Sequence, residues 1–297
     1  NNAVYNVFAD RYRRLWITTY GGGVNVITPT VQPFKNLQHE VNNKNSLSNN
    51  AAKAIVQDEK GTIWFGTRKG LSRWDQATNQ WRHYNEETNG PAFSSDNVLA
   101  LAGNRSQDVW AGTYGGGILQ LNASGNIKHY SSSETDSNTL GTDYVYALCF
   151  DSKQRLWAGG IRGALSFLDI KTGQFHRLKG TTSSVNWIME DVQGDILLGT
   201  EKGVWKATGD SAVNIFADAI PYKVVHIIQA NSGQLWVGTV GGGLFLADKQ
   251  KGIIKKFSTI NGLPSNVVCG MVTDGNGDLW VGTSKGVAHL SGKTGNF

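Results

Sequence analysis

The sequence is poor in charge, in proline and in cysteine. Asp, Glu, Lys and Arg make up only 17% of its 297 residues, with 5 prolines and 2 cysteines. Cys149 and Cys269 fall at unrelated places in the pattern described below. No bridge between them is expected, and so few cysteines do not fix a redox compartment. No apolar run approaches the ~18 residues that a membrane-spanning helix requires. No long stretch carries apolar residues at helical spacing, which argues against bundles and helical repeats. HExxH, GxSxG, CxxC and phosphate-loop patterns are all missing, so no ready-made catalytic or metal set is present. The net charge is +5, but Lys and Arg are scattered, so no nucleic-acid footprint emerges. The chain opens mid-pattern at Asn1, without initiator Met or signal peptide. It reads as a segment of a longer protein, which hides any targeting sequence.

Glycine and tryptophan are plentiful, at 37 and 10 residues. This favours short strands and tight turns. One string recurs: LWITTYGGG at Leu15–Gly23, IWFGTRKG at Ile63–Gly70, VWAGTYGGG at Val109–Gly117 and LWAGGIRG at Leu156–Gly163. LLGTEKG at Leu197–Gly203, LWVGTVGGG at Leu235–Gly243 and LWVGTSKG at Leu279–Gly286 complete the set. The anchors are Trp16, Trp64, Trp110, Trp157, Leu197, Trp236 and Trp280, spaced by 48, 46, 47, 40, 39 and 44 residues. Six residues before them stand Asp10, Asp58, Asn104, Asp151, Asp191, Ala230 and Asp274. Strand-rich units of this period predict an all-β, seven-bladed β-propeller of four-stranded antiparallel blades, a single domain over residues 1–297.

Within a unit, an apolar inner strand precedes a turn such as DEKG or DGNGD. The Trp strand, the GT-x-x-G turn and two further strands follow. The inner two strands read as nearly continuous hydrophobics, as expected where blades bury both faces. The Gly two residues after the anchor predicts a close approach by a neighbour. DGNGD at Asp274–Asp278 suggests calcium only weakly. Equivalent turns keep the first Asp without a ligand set, which fits a side-chain-capped turn. Asn1–Phe8 is expected as the innermost strand of blade one, and Phe297 as the start of the last outer strand. The ring then closes by side-chain packing between blades one and seven.

The string L-W-x-G-T-x-x-G-G, preceded by D-x-x-G and by S-x-N-x-V (LSNNAAKAI at Leu47–Ile55, LPSNVVCGM at Leu263–Met271), resembles the two-component regulator propeller repeat. The resemblance implies the periplasmic sensor region of a Bacteroidetes hybrid two-component histidine kinase. It further implies an oligosaccharide or other small ligand, and a neighbouring propeller and immunoglobulin-like domain in the same chain. A homodimer in the full sensor is also implied. No catalytic residue, cofactor or metal is expected of this segment. A structural or protein-interaction propeller is the second reading, and a streptogramin-lyase-like enzyme the third.

Six histidines bear on that third reading. His83 and His129 each follow their anchors by 19 residues; they are expected as solvated outer-strand repeats. His39 falls in a connection, His176 on another outer strand and His289 on the last third strand.

For binding, the turns between second and third strands offer Tyr20, Arg68, Lys69, Tyr114, Arg162, Glu201, Lys202 and Lys285. Aromatic faces stack on sugar C–H surfaces, and charged groups pair with hydroxyls. Ten residues before the anchors come Asn6, Ala54, Ala100, Ala147, Trp187, His226 and Gly270. Trp187 and His226 break a row of small residues. They either wall a central pocket or fill the space left by the missing Trp at Leu197; the structural reading is favoured, since aromatics commonly fill irregular space. One position earlier, Tyr5, Lys53, Tyr146 and Asn186 are expected to line the upper channel, alongside Leu99, Val225 and Cys269. The polar connections Leu37–Asn50, Asn85–Asp96 and Ser131–Asp143 are candidates for a one-sided rim or a partner contact.

Overall fold

A computed structural model describes residues 3–11, 14–27, 35–103, 108–122, 124–179, 183–216, 219–230 and 232–291. It is a seven-bladed propeller. Six blades are four-stranded antiparallel sheets, and the seventh shows three strands among the described residues. Inner strands run Val4–Ala9, Ala52–Gln57, Val98–Gly103, Val145–Phe150, Val185–Glu190, Lys223–Gln229 and Val268–Thr273. Each pairs with the strand that carries its blade's anchor. Phe297 lies outside the described residues.

The second strands are buried along their whole length in blades one to three and five. The inner strands differ from the expected continuous burial. Buried and half-buried positions alternate in Val98–Gly103, because one face of each inner strand looks into the axis. Hydrophobic packing divides into seven clusters, each shared by two neighbouring blades. Val4, Val7 and Ile17 of blade one pack with Val272, Trp280 and Val287 of blade seven. The strand Val4–Ala9 stays in its own sheet. The ring therefore closes by side-chain packing, as expected.

The signature glycine explains how closely blades approach. A Cβ on Gly66 would lie 2.7 Å from Val98 Cγ1, on Gly112 2.7 Å from Val145, and on Gly159 2.5 Å from Val185. Gly199 meets Val224 at 2.8 Å, Gly238 meets Val268 at 2.7 Å and Gly282 meets Val4 at 2.5 Å. Each valine opens the inner strand of the next blade or stands beside its first residue. The seam between blades one and two departs at both positions: Thr18 of blade one stands at the glycine position and Ala52 of blade two at the valine position, both fully buried.

The repeated Asp holds two groups. Oδ1 of Asp58 accepts the N–H groups of Lys60 and Thr62, while Oδ2 accepts Trp64 Nε1–H at 3.0 Å. Asp10, Asp151 and Asp274 bond Trp16, Trp157 and Trp280 in the same way, at 3.0, 2.9 and 3.0 Å. A buried carboxylate needs such partners. In blade five, where Leu197 replaces Trp, Lys249 of blade six bonds Asp191 Oδ2 instead, and also Gln193 at 2.6 Å and Asp195 at 2.8 Å. The following Thr closes the turn to the third strand, as Thr67 Oγ1 does by donating to Gly70 O at 3.0 Å.

Both cysteines are free thiols. Among the described residues, no helix is long and apolar enough to cross a membrane.

The glycine–valine contact predicts that Gly66→Ala destabilises the fold by about 1–3 kcal/mol through overpacking. Adding Val98→Ala removes the overlap. The double variant is expected to cost less than the sum of the single variants by about 1 kcal/mol in denaturant unfolding. Strict additivity would show that the contact carries no energy.

Candidate functional site

The half-buried positions of the inner strands enclose an axial cavity of about 190 Å³. All seven blades contribute to its upper row: Tyr5, Lys53, Leu99, Tyr146, Asn186, Val225 and Cys269. Inner strands begin at this end, so the cavity opens on the face that bears the second-to-third-strand turns.

At the mouth, four side chains of blades one and two come together. The rings of Tyr5 and Tyr20 meet edge-on, with centroids 5.6 Å apart. Lys53 Nζ sits 5.0 Å above the Tyr5 ring, and the Arg68 guanidinium 6.0 Å above the Tyr20 ring. Cations over aromatic faces are attracted by the ring quadrupole. Burial, and then repulsion from Arg68, holds Lys53 below the ordinary lysine range. Burial raises the Tyr5 phenol, and Arg68 offsets part of that shift.

Across the opening, Tyr114 packs edge-on against Tyr144, with centroids 4.9 Å apart. Burial first, and then Tyr114, raises the phenol of Tyr146. Glu201 is neutralised by Lys223 at 2.8 Å.

Trp187 and His226 form the floor. A second cavity of about 310 Å³ lies beneath, toward Phe8, Gln229 and Thr273. Trp187 and His226, with Asn6 and Ile55, line both cavities. Their rings are 3.7 Å apart. Trp187 Nε1–H donates to Ile227 O at 3.0 Å, and Met271 N–H donates to His226 Nδ1 at 2.8 Å. These bonds tie blades five, six and seven together. Trp187 also packs on the cluster containing Leu197, so the same pair fills space and shapes the cavity. Since Nδ1 accepts, the His226 proton sits on Nε2. Burial pushes the pKa of this ring down to about 3.

The family model for the two component regulator propeller matches residues 46–69 and 262–285. No curated protein sequence matches the chain significantly. Among solved structures, the chain is similar to the extracellular domain assigned to a hybrid two component system of B. thetaiotaomicron. Identity is 22% and the TM-score 0.83, over 98% of this chain and 40% of that one. The chain thus spans about 40% of that relative's length. It is also similar to a streptogramin B lyase (13% identity, TM-score 0.75, 97% and 93% coverage). Virginiamycin B lyase from Staphylococcus aureus is a further neighbour (14%, 0.68, 82% of each chain). At these identities the likeness establishes the propeller fold.

The remaining candidates lie apart from the mouth cluster. Lys69 turns outward to Glu87, at 3.7 Å, into a groove of about 720 Å³ between the connection at His39–Ser48 and blade two. Trp81 lines that groove, stacked on Trp74 with centroids 5.4 Å apart. Trp81 was legible only as an outer-strand residue, since nothing local shows the connection folding over it. Asn85–Asp96, expected as a polar connection, contains the one-turn helix Glu86–Asn89 capped by Asn85. Arg162 holds a left-handed conformation, φ 54°, in its turn. Lys202 and Lys285 donate their backbone N–H groups to Thr200 and Thr283. Tyr144 was missed, although it immediately precedes the inner strand of blade four.

His129 is exposed, as expected, but His83 is half-buried. Its Nδ1 lies 3.1 Å from Ser72 Oγ and its Nε2 3.0 Å from Lys44 O, because the connection before blade two folds over it. Carboxylate and imidazole atoms of Asp274, Asp278 and His289 gather within 4.8 Å, with both Asp274 oxygens engaged in the turn and by Trp280.

The folded state holds His226 neutral, whereas the unfolded chain takes up its proton near pH 6.5. Stability is then complete above about pH 6.5 and falls as pH drops toward 3, by up to ~1.4 kcal/mol per pH unit. Unfolding followed between about pH 7 and pH 5 should show this component in the parent and not in His226→Gln. Equal pH slopes would contradict it.

Proposed function

We propose that this propeller is a non-catalytic sensor module that binds an oligosaccharide in the axial pocket of its turn face. The observation that carries the reading is the mouth cluster: two tyrosine faces and two cations, presented above a cavity floored by Trp187 and His226. Pockets of about 300–1,000 Å³ enclose drug-sized ligands. At about 190 Å³, this one accommodates the terminal residue of a chain, with the remainder lying over Tyr20, Arg68, Tyr114 and Arg162. Trp187 and His226 supply the floor, and Lys53 and Tyr146 the walls.

The likeness to the extracellular domain assigned to a hybrid two component system supports a place in the periplasmic region of a membrane-bound sensor kinase. There it would work beside a neighbouring propeller and an immunoglobulin-like domain, within a homodimer. Signalling then requires the ligand to favour one arrangement of the sensor chains over another, through differential affinity.

A glycan array followed by calorimetry tests the reading. Tyr5→Ala and Tyr20→Ala are each expected to weaken a bound oligosaccharide by about 0.5–1.5 kcal/mol, the scale of one aromatic contact. Unchanged binding in both variants, or no glycan bound at all, would favour a scaffolding propeller instead.

A further inference from the structure

The pocket also carries an unbalanced charge. Among the described residues, Lys53 is the single charged side chain lining the axial cavity, and no carboxylate lines it. His226 is neutral, with Nδ1 accepting a backbone N–H. Burial pushes the Cys269 thiol up to about 11, so it carries no charge at neutral pH. Asn6 turns its Oδ1 to the N–H of Val7 at 2.8 Å. Arg68 stands over the same mouth on the Tyr20 ring. Among the described residues neither Lys53 nor Arg68 makes an ion pair, whereas Lys69, Lys206, Lys223 and Lys249 each have a carboxylate within 4.0 Å.

Two cations are therefore held close together, half-buried in the case of Lys53, with aromatic faces and no acid as company. Such a pair costs free energy that an incoming anion recovers, since desolvated charges interact strongly when matched.

We infer that the ligand of this pocket is an acidic sugar, whose carboxylate or sulfate ester pairs with Lys53 and Arg68 while its ring lies against Tyr5 and Tyr20. This rests on the oligosaccharide-binding reading above. A neutral glycan would use the aromatic faces and leave both cations unpaired. A small inorganic anion would use the cations and leave the faces bare. The two cations and the two aromatic faces at this mouth call for both at once.

Calorimetry with matched pairs tests the charge. Trigalacturonic acid is compared with its methyl ester, and a sulfated carrageenan tetrasaccharide with its desulfated form. The first pair reads the carboxylate and the second the sulfate. At least one charged member is expected to bind about tenfold or more tighter than its neutral twin. That advantage should shrink between about 50 mM and about 500 mM salt. Lys53→Met should remove about tenfold of the charged member's affinity and Lys53→Arg should restore most of it. Thermal unfolding of Lys53→Met reports that the ring remains folded.

Equal or tighter binding of the neutral twins overturns the charge inference and leaves the oligosaccharide reading standing. Charged ligands indifferent to Lys53→Met overturn it as well. Failure of every glycan on the array, charged or neutral, overturns both.

Discussion

The close contact between a glycine on one blade and a valine on the next is the constraint on which the ring depends. Six seams bring these positions to distances that no added Cβ would tolerate. The seam from blade seven to blade one uses the same pair, Gly282 and Val4, so closure needs no special device. The seventh seam carries Thr18 and Ala52, with the bulk moved from one side to the other. What is held constant is summed volume, as expected of a close-packed interior. The hydrophobic clusters follow from this spacing. Each spans a seam, because a blade has no interior of its own and buries its faces only against its neighbours.

Blade five shows how an irregularity at one radius shapes another. Its anchor is Leu197, so no indole reaches Asp191. Lys249 crosses from blade six to take that bond. In the same blade, Trp187 enters the row otherwise filled by small residues, and bonds the inner strand of blade six. His226 continues the layer to blade seven. Together they divide the axial space into an upper and a lower cavity. A symmetric ring of small residues would leave a channel; these two side chains give the upper cavity a floor.

Much of the fold was legible because the repeat places equivalent residues at fixed offsets. The anchors counted the blades, the Gly offset announced close approach, and the offset preceding the small row named the residues that line the cavity. Contacts between blades were not legible. The meeting of Tyr5, Tyr20, Lys53 and Arg68 depends on how far four side chains reach from two inner strands and two turns. No single unit contains that information. Lys69 is adjacent to Arg68 in sequence, yet it turns outward to Glu87, because successive turn residues point to different sides. His83 and Trp81 were obscured for a related reason: a long connection folds over the outer strand of blade two, and its path is set by tertiary contacts.

A crystal structure of the protein with a bound oligosaccharide tests the central claim most directly. The account predicts a sugar ring in the upper axial cavity, against Tyr5 or Tyr20 and within hydrogen-bond reach of Lys53, above an unmoved Trp187. A sugar seated in the groove beside Trp81, or in the lower mouth near Phe8 and Thr273, with only solvent in the upper cavity, would contradict it.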